Sequence, residues 1–280
     1  MNSSIINIGV YQILLNRVIG QGWHSTTYQC INIQQMQQQL VAKIYQNQTV
    51  PNEAEIIKLK KLYHANVVQI YEVYQNEKDV IIIMEKCHSS LRNEMRFQKE
   101  YDEIELLAIL SQILKGYNYI LDQGLEINEL KPTNIMIDDN EIIKISNYGM
   151  SYLYNHSDVE VRPYAAPEIF FSNKQTDAKN IYSLGLIIYQ LVFHQLPFSL
   201  KQNGDVIVFL QRIKKSKLSI PKNKFQKITE IISQMIIYDY QERIGREKLG
   251  ELLLQNFKRG SRRIASIQPI AAKADDYLYF

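Results

Sequence analysis

The sequence predicts an α+β fold of two lobes, a small β-rich lobe followed by a larger helical lobe. Between residues 11 and 85, short segments rich in β-branched and aromatic residues are separated by glycines and polar turns, which is typical of strands. After residue 90, apolar residues recur at helical spacing instead. This change of period indicates that the boundary between the lobes lies between residues 85 and 90.

The first half contains four predicted strands and one predicted helix. The strands are Tyr11 to Ile19, Thr26 to Ile33, Leu40 to Tyr45 and Val80 to Met84. Before the fourth strand, Pro51 suits the first turn of a helix, and Ile56, Leu59 and Leu62 lie on one face of it. The glutamine-rich residues 34–39 are expected to form a solvated hairpin connection.

The second half is predicted to be helical. Its clearest amphipathic stripe consists of Leu106, Leu110, Ile113, Tyr117 and Ile120. Gly124 ends this helix, and the segment from Ile181 to Phe193 is apolar nearly all round, as expected of a helix at the centre of a lobe. Further helical patterns cover Val206 to Ile213, Ile228 to Ile237 and Arg246 to Leu254. The periodicity is lost at Arg259, so residues 259–280 are predicted to form a flexible tail.

The composition limits the compartments and partners that we expect. Two cysteines, Cys30 and Cys87, make no disulfide framework, which favours a reducing compartment. No Lys or Arg precedes Arg17, so the N-terminus lacks the charged start of a signal peptide. The longest apolar stretch, Leu184 to Phe193, is far shorter than the roughly 20 residues of a membrane span. The net charge of only +3 gives no reason to expect a nucleic-acid partner. Taken together, the cysteine usage, the N-terminus and the short apolar stretches predict a cytoplasmic or nuclear location.

The most informative segments are Glu129-Leu-Lys-Pro-Thr-Asn134 and Asn147-Tyr-Gly149. They resemble the catalytic loop (H-R-D-L-K-P-x-N) and the metal-binding turn (D-F-G) of eukaryotic protein kinases. Lys131 in the catalytic loop matches the serine/threonine branch of that family. The resemblance covers residues 10–257 and implies the bilobal protein-kinase fold, with an N-lobe over about 10–85 and a C-lobe over about 88–257.

Features of the scaffold support the same resemblance. Pro163-Tyr-Ala-Ala-Pro167-Glu168 resembles the A-P-E end of the activation segment, and Arg243 matches the arginine that forms a buried pair with that glutamate. Ile127 and Tyr148 can fill the apolar positions of the usual His and Phe. These features distinguish protein kinases from small-molecule phosphotransferases that share the N-lobe.

The first half resembles the nucleotide-binding part of a kinase. The segment from Ile19 to Ser25 resembles the glycine-rich loop, whose bare backbone closes over phosphates. Lys43 matches the lysine that holds the α- and β-phosphates, and Glu55 matches the glutamate that pairs with it. Residues 84–87 match the gatekeeper and the adenine-binding hinge. The resemblance therefore implies an ATP site made of Ile19, Gly20, Gly22, Thr27, Val41, Lys43, Glu55, Met84, Glu85 and Cys87.

The predicted catalytic residues depart from the kinase pattern. By position, Glu129 is the base, Lys131 lies near the γ-phosphate, and Asn134 and Asn147 are the metal ligands. Glu129 keeps a carboxylate but is one methylene longer than the usual aspartate. Because Mg²⁺ prefers carboxylate oxygens and Asn147 offers only an amide, Mg²⁺ binding is predicted to be weakened or absent.

Two further positions differ from the family in the same direction. Asn128 replaces the arginine that binds an activation-loop phosphate, so activation through that pairing is not expected. Asn180 replaces the aspartate that braces the catalytic loop. With Glu129 and Asn147, four polar positions of the catalytic network have changed while the scaffold around them is retained.

Three functional hypotheses follow from the resemblance. The first is a pseudokinase that binds ATP and acts as a regulatory or scaffolding partner of another protein. The second is a weakly active serine/threonine-protein kinase that uses Glu129 as its base and Mn²⁺ or a single Mg²⁺ at Asn147. The third is a purely structural module with an empty pocket, which the presence of both Lys43 and Glu55 disfavours.

The chain ends in an unusually aromatic peptide. We expect Tyr277 and Phe280 to dock in cis on the N-lobe or in trans on a partner, because exposed aromatic side chains near a free end tend to be covered.

Overall fold

Six strands form the sheet of the small lobe in the computed structural model of this protein. They are β1 (Ile5–Ile8), β2 (Tyr11–Gln21), β3 (Ser25–Asn32), β4 (Leu40–Gln46), β5 (Ile70–Gln75) and β6 (Asp79–Glu85). All neighbours pair antiparallel, in the order β1-β2-β3-β4-β6-β5, and helix α1 (Glu53–Lys61) lies between β4 and β5 in the chain. The structure describes residues 4–22, 25–46, 53–75, 78–127, 129–149, 163–170, 176–198, 206–215, 218–222 and 225–264.

The large lobe is mainly helical. Its helices are α2 (Leu91–Arg96), α3 (Glu103–Asp122), α4 (Ala178–Phe193), α5 (Val206–Lys215), α6 (Gln226–Met235) and α7 (Arg246–Ile264). A second antiparallel sheet consists of β7 (Ser89–Ser90), β8 (Ile135–Ile137) and β9 (Ile143–Ile145), in that order. Short 3-10 turns cover Pro132–Asn134 and Pro167–Phe170. The predicted bilobal α+β fold is confirmed.

Strand β6 shows why an uninterrupted apolar run forms a strand here. Its side chains alternate between two faces, as in any strand. Val80 and Ile82 belong to the large core that continues into the helical lobe, whereas Ile81 and Ile83 belong to a smaller core of the sheet. Because both faces of β6 are buried, the strand has no polar alternation.

Helices α3 and α4 form the centre of the large lobe. The side chain of Asp102 accepts a hydrogen bond from the Glu105 amide, and the Glu105 carboxylate accepts one from the Asp102 amide. This capping box satisfies backbone donors at the start of α3. Nearly every residue of α4 from Asn180 to Leu191 is buried, in agreement with its apolar surface on all sides.

Asn66, in the connection between α1 and β5, joins the two lobes. Its side-chain amide donates to the carbonyl oxygen of Ile143 (2.8 Å) and to Gln112 (3.2 Å). The backbone carbonyl of Asn66 accepts from the Ile145 amide at 2.9 Å. On α3, Gly116 lies so close that a Cβ atom there would overlap the Asn66 carbonyl oxygen. The lobes therefore meet through backbone contacts as well as through side chains.

Some elements differ from those predicted. Strands β1 and β5 and helix α2 were not predicted, and α7 continues to Ile264, so residues 259–264 are helical. No helix among the described residues is long and apolar enough to cross a membrane. Tyr277 and Phe280 lie outside the described residues, so their docking stays a prediction.

Candidate active site

The hairpin of β2 and β3 carries the glycine-rich segment. Gly20 pairs with Thr27, and the Gly22 amide donates to the Ser25 carbonyl at 2.8 Å. A Cβ atom built on Gly20 would meet no other atom within 4 Å. No described residue therefore covers Gly20 on the side where a Cβ atom would lie, and neighbouring Ile19 is about half exposed.

Strand β4 positions Lys43 by its register. Lys43 lies opposite Thr27 on β3, and Val41 lies opposite Met84 on β6. The intervening residue, Ala42, is fully buried in the smaller core of the sheet. Since side chains alternate along a strand, Val41 and Lys43 share the other face.

The hinge between the lobes follows β6. The Glu85 amide donates to Gln69 and the Lys86 amide donates to Gln39, each at 3.0 Å. The Cys87 amide donates to no other described residue, so it is available to a ligand. Burial, with the nearby Glu85 carboxylate as a smaller cause, raises the pKa of the Cys87 thiol to about 12. The thiol is therefore neutral at physiological pH.

An ion pair behind the hinge was not predicted. Lys144 on β9 contacts both carboxylate oxygens of Glu85 at 3.0 Å, and Asp138 lies 3.8 Å away. One Glu85 oxygen also accepts from the Gln69 amide at 2.7 Å. In the sequence, Lys144 stands between Ile143 and Ile145. This alternation indicates that Lys144 lies on the opposite face of the strand from the two isoleucines, but it does not identify its partner.

Lys43, Asn147 and Asn134 form a chain of hydrogen bonds between the lobes. The Lys43 ammonium donates to the Asn147 side-chain oxygen at 2.6 Å. The Asn147 amide nitrogen donates to the Asn134 side-chain oxygen at 2.8 Å. Tyr45, which sequence reasoning missed, donates its hydroxyl to the same Asn147 oxygen at 3.4 Å.

The orientation of the Asn147 amide follows from its neighbours. An ammonium group offers only donors, so the atom that faces Lys43 must be an acceptor. If the amide were turned round, its NH₂ group would face the Lys43 ammonium, and the Asn134 oxygen would face another oxygen. The observed orientation satisfies both contacts. Both predicted metal-ligand oxygens therefore already accept hydrogen bonds.

Burial and a neighbouring positive charge both disfavour the charged form of Lys43. Burial is the main cause that lowers the pKa of Lys43 to about 8, and the positive charge of Lys131 lowers it further. The ammonium also lies 5.0 Å from the centre of the Tyr45 ring, within the range of a cation–π contact. The salt bridges between described residues do not include Lys43 with Glu55, so that pairing stays a prediction.

The catalytic-loop residues form a local cluster. The Glu129 carboxylate pairs with the Lys131 ammonium at 2.7 Å. The Asn134 side-chain amide donates to the Glu129 carbonyl at 3.0 Å, and the Ser146 amide donates to the Asn134 carbonyl at 2.8 Å. The structure thus brings Glu129, Lys131, Asn134 and Asn147 together with Lys43. Asn128 lies outside the described residues, so its predicted effect is untested.

Tyr148 fixes the turn that carries Asn147. Its buried hydroxyl donates to the Val68 carbonyl at 2.6 Å. Tyr148 also bridges Ile127 in an antiparallel arrangement, and the Gly149 amide donates to the Glu126 carbonyl at 2.8 Å. This turn is therefore bound both to the catalytic loop and to the segment that leads into β5.

Two further polar contacts in the large lobe are buried. Asn180 on α4 donates its side-chain amide to the Ile127 carbonyl at 3.2 Å. Arg243 forms two hydrogen bonds with the Glu168 carboxylate, at 2.6 Å and 3.1 Å, and both side chains are buried. The Arg243 guanidinium also donates to the carbonyl oxygens of Ala178 and Ile237. The buried charges are thus paired and hydrogen-bonded, as buried charges must be.

Several known proteins are similar to this chain in sequence. The chain is 28% identical to calcium-dependent protein kinase 5 of Plasmodium berghei over 248 residues, which are 82% of this chain and 43% of that protein. It is 28% identical to the probable serine/threonine-protein kinase KCC4 of Saccharomyces cerevisiae, over 74% of this chain and 21% of that protein. It is 23% identical to CBL-interacting protein kinase 26 of Oryza sativa subsp. japonica, over 84% and 50% of the two chains.

The chain thus spans half or less of the length of these relatives. A family model of the protein kinase domain matches residues 13–254, which includes both lobes and every predicted site residue. With the bilobal fold, the buried Arg243–Glu168 pair and the serine/threonine kinase relatives, this match shows that the chain belongs to the protein kinase domain family.

Proposed function

We propose that this kinase domain is a pseudokinase that binds ATP and acts as a regulatory or scaffolding partner of another protein. The observation that carries the proposal is the Asn147 amide, which lies between Lys43 and Asn134 where a metal-binding carboxylate would be needed. Kinase chemistry depends on positioning and on neutralisation of charge around the transferring phosphoryl group. An amide that is bound on both sides supplies neither a negative charge nor a vacant oxygen.

The residues of the cleft do not fit a magnesium ion. Mg²⁺ is held through carboxylates together with substrate phosphates. The oxygens of Asn134 and Asn147 accept hydrogen bonds from donors, and the Glu129 carboxylate is paired with Lys131. Within the described residues, no group of three or more His, Cys, Asp or Glu side chains could hold a metal ion. We therefore derive no step through Mg²⁺.

The nucleotide-binding half supports the retention of ATP binding. Lys43 points its ammonium towards the large lobe, no described residue covers Gly20 where a Cβ atom would lie, and the Cys87 amide is available at the hinge. These are the groups that would contact phosphates and adenine in a kinase cleft. They disfavour a purely structural module with an empty pocket.

The Glu129–Lys131 pair favours a second function, a weakly active serine/threonine-protein kinase. The two side chains contact each other at 2.7 Å, so a carboxylate is retained beside the lysine of the catalytic loop. Glu129 could accept the proton of a substrate hydroxyl if a metal such as Mn²⁺ replaced the missing charge at Asn147. The extra methylene would still displace the base, and a displacement of about 1 Å can cost roughly 100-fold in rate.

A phosphotransfer assay separates these functions. The wild-type protein and the Glu129→Asp/Asn147→Asp variant are incubated with radiolabelled ATP, a mixture of serine- and threonine-containing peptides, and Mg²⁺ or Mn²⁺. We expect the double variant to exceed the wild type by about 10²-fold or more, the usual contribution of a positioned base. The control variant Glu100→Asp/Asn140→Asp makes the same chemical changes at exposed positions and should leave transfer unchanged.

Strong transfer by the wild type, abolished by Lys43→Ala, would contradict the pseudokinase proposal. Transfer that depends on Mn²⁺ and is lost in Glu129→Gln would instead support the weakly active kinase.

A further inference from the structure

We infer that the cleft binds its nucleoside triphosphate in the metal-free form, with the phosphates neutralised by lysine side chains instead of Mg²⁺. The inference rests on the proposed nucleotide-binding function and specifies the form of its ligand. It starts from the disagreement between the metal ion that the family implies and the residues that the cleft contains.

The charges around the Lys43–Asn147–Asn134 chain are predominantly positive. Lys43 and Lys131 each carry an ammonium group, whereas Asn134 and Asn147 are neutral. Among the described residues, the carboxylate that contacts one of these groups is that of Glu129, which is paired with Lys131. In the part of the chain that the structure describes, the Lys43 ammonium thus contacts an amide oxygen and the Tyr45 ring, and the acceptor of its hydrogen bond to Asn147 is neutral.

A polyphosphate would supply the negative charge that this environment lacks. Two unlike charges attract more strongly in a partly buried site than in water, because the effective dielectric constant is lower there. Exchanging the Asn147 oxygen for a phosphate oxygen gives the Lys43 ammonium a charged acceptor in place of a neutral one. Charge-assisted hydrogen bonds are roughly twice as strong as neutral ones, so this exchange favours binding.

The Asn147 side chain also tolerates phosphate oxygens that an aspartate would repel. Its NH₂ group has two donors, and the Asn134 oxygen uses one of them. None of the described residues accepts from the second donor, which can bond a ligand oxygen while the Asn147–Asn134 bond stays in place. A carboxylate at residue 147 would instead face the phosphates with a like charge and would need a cation between them.

A divalent cation would work against this arrangement. Bound to the triphosphate, Mg²⁺ removes part of the negative charge that attracts Lys43 and Lys131. It would also introduce a positive charge beside two ammonium groups, while the carboxylate of Glu129 is already paired with Lys131.

The test is calorimetric titration of ATP into the full chain at pH 7, once in EDTA and once in excess Mg²⁺. We expect the wild type to bind ATP in EDTA at least as tightly as in Mg²⁺.

Two single substitutions make the titration specific. Asn147→Asp is expected to weaken ATP binding in EDTA by about tenfold or more, which is the loss expected for one hydrogen bond to a charged group. We also expect ATP binding by this variant to depend on Mg²⁺. Asn140→Asp adds the same charge in an exposed turn and should behave as the wild type. Thermal melting of each variant checks that it is folded.

Wild-type binding that requires Mg²⁺ and disappears in EDTA, without phosphoryl transfer, would overturn the metal-free form and leave the pseudokinase proposal standing. Strong Mg²⁺-dependent transfer by the wild type would overturn the proposed function. The absence of any ATP binding in either buffer, with a folded protein, would overturn the inference and the nucleotide-binding part of the proposal.

Discussion

Asn147 shows how one side chain can change chemistry without changing the backbone. Its φ angle is +60°, in the left-handed region where asparagine and aspartate are both enriched among non-glycine residues. An aspartate at this position would therefore meet no new backbone strain. What differs is the hydrogen bonding, because the amide both accepts from Lys43 and donates to Asn134, and a carboxylate can only accept.

Tyr148, the residue after Asn147, allows a test of how much a buried hydrogen bond of this turn contributes to stability. Tyr148→Phe removes a hydroxyl that donates a buried hydrogen bond to the Val68 carbonyl and leaves the ring in place. We expect the free energy of unfolding to fall by about 1–2 kcal/mol, because the Val68 carbonyl loses that partner. Urea denaturation followed by circular dichroism measures the change.

The control for Tyr148 is Tyr63→Phe. Tyr63 is 85% exposed, so loss of its hydroxyl should change the unfolding free energy by less than about 0.5 kcal/mol. Equal effects of the two substitutions would contradict a stabilising role of the Tyr148 hydroxyl.

At the scale of elements, the sequence predicts best where one pattern repeats for long enough. Helix α3 follows the period of its apolar residues, whereas β2, β3, β4, β6 and α4 stand out by long segments of β-branched, aromatic or uniformly apolar residues. The four-residue β1 and the six-residue α2 are too short for a period to be recognised. Helix α7 continues to Ile264 through a polar segment, in which helix formation leaves no apolar stripe to detect.

The candidate site was predictable only in part. The spacing of the motifs indicates Lys43, Glu129, Asn134 and Asn147, but it does not tell which atoms bond. Lys43 and Asn147 are 104 residues apart, and Lys144 and Glu85 are 59 apart. Such contacts depend on how the two lobes pack, which no local period encodes. The orientation of the Asn147 amide likewise follows from three-dimensional neighbours.

The ion pair between Lys144 on β9 and Glu85 at the hinge is more buried than a similar pair on the surface, and we expect it to contribute more to the free energy of unfolding. Lys144 and Glu85 have side chains that are 12% and 19% exposed, whereas Lys60 and Glu72 form a similar pair that is 37% and 32% exposed. We expect Lys144→Met to lower the unfolding free energy by about 2 kcal/mol, because Glu85 loses a charged hydrogen-bond donor. Lys60→Met should cost about 0.5 kcal/mol or less, since exposed pairs contribute little.

Guanidinium chloride would screen the pairs, so the comparison of Lys144→Met with Lys60→Met requires urea. If Lys60→Met destabilises the protein as much as Lys144→Met, the ion pair behind the hinge has no special role in stability.

At the scale of the whole molecule, the lobes share one core and several polar contacts. The large core runs from Tyr45 and Leu59 in the small lobe to the helices of the large lobe. Near Asn66, His64 stacks on Tyr119 of α3 with the ring centres 4.7 Å apart, and its Nδ1 accepts from the Asn66 amide at 3.0 Å. These contacts predict that the two lobes unfold together.

His64 predicts a pH dependence of this shared stability. Burial, followed by the charges of Lys115 and Lys144, lowers the pKa of His64 below its usual value. The unfolded chain, with a histidine pKa of about 6.5, therefore binds a proton before the folded protein does. The contribution of neutral His64 is fully present above about pH 6.5 and is lost as the pH falls further.

Urea denaturation between pH 5.5 and pH 7.5 measures this dependence. The wild type should lose more stability on acidification than His64→Gln, whose side chain does not titrate. Parallel curves for the two proteins would show that His64 does not link protonation to folding.

The close approach of Gly116 to Asn66 has a consequence for the width of the cleft. No side chain separates α3 from the α1–β5 connection at this point, so the spacing between the lobes is set by the radii of backbone atoms. Any larger residue at 116 would overlap the Asn66 carbonyl oxygen and push the α1–β5 connection away from α3. The 2.6 Å contact between Lys43 and Asn147, which joins the same two lobes, therefore depends on the absence of a side chain at residue 116.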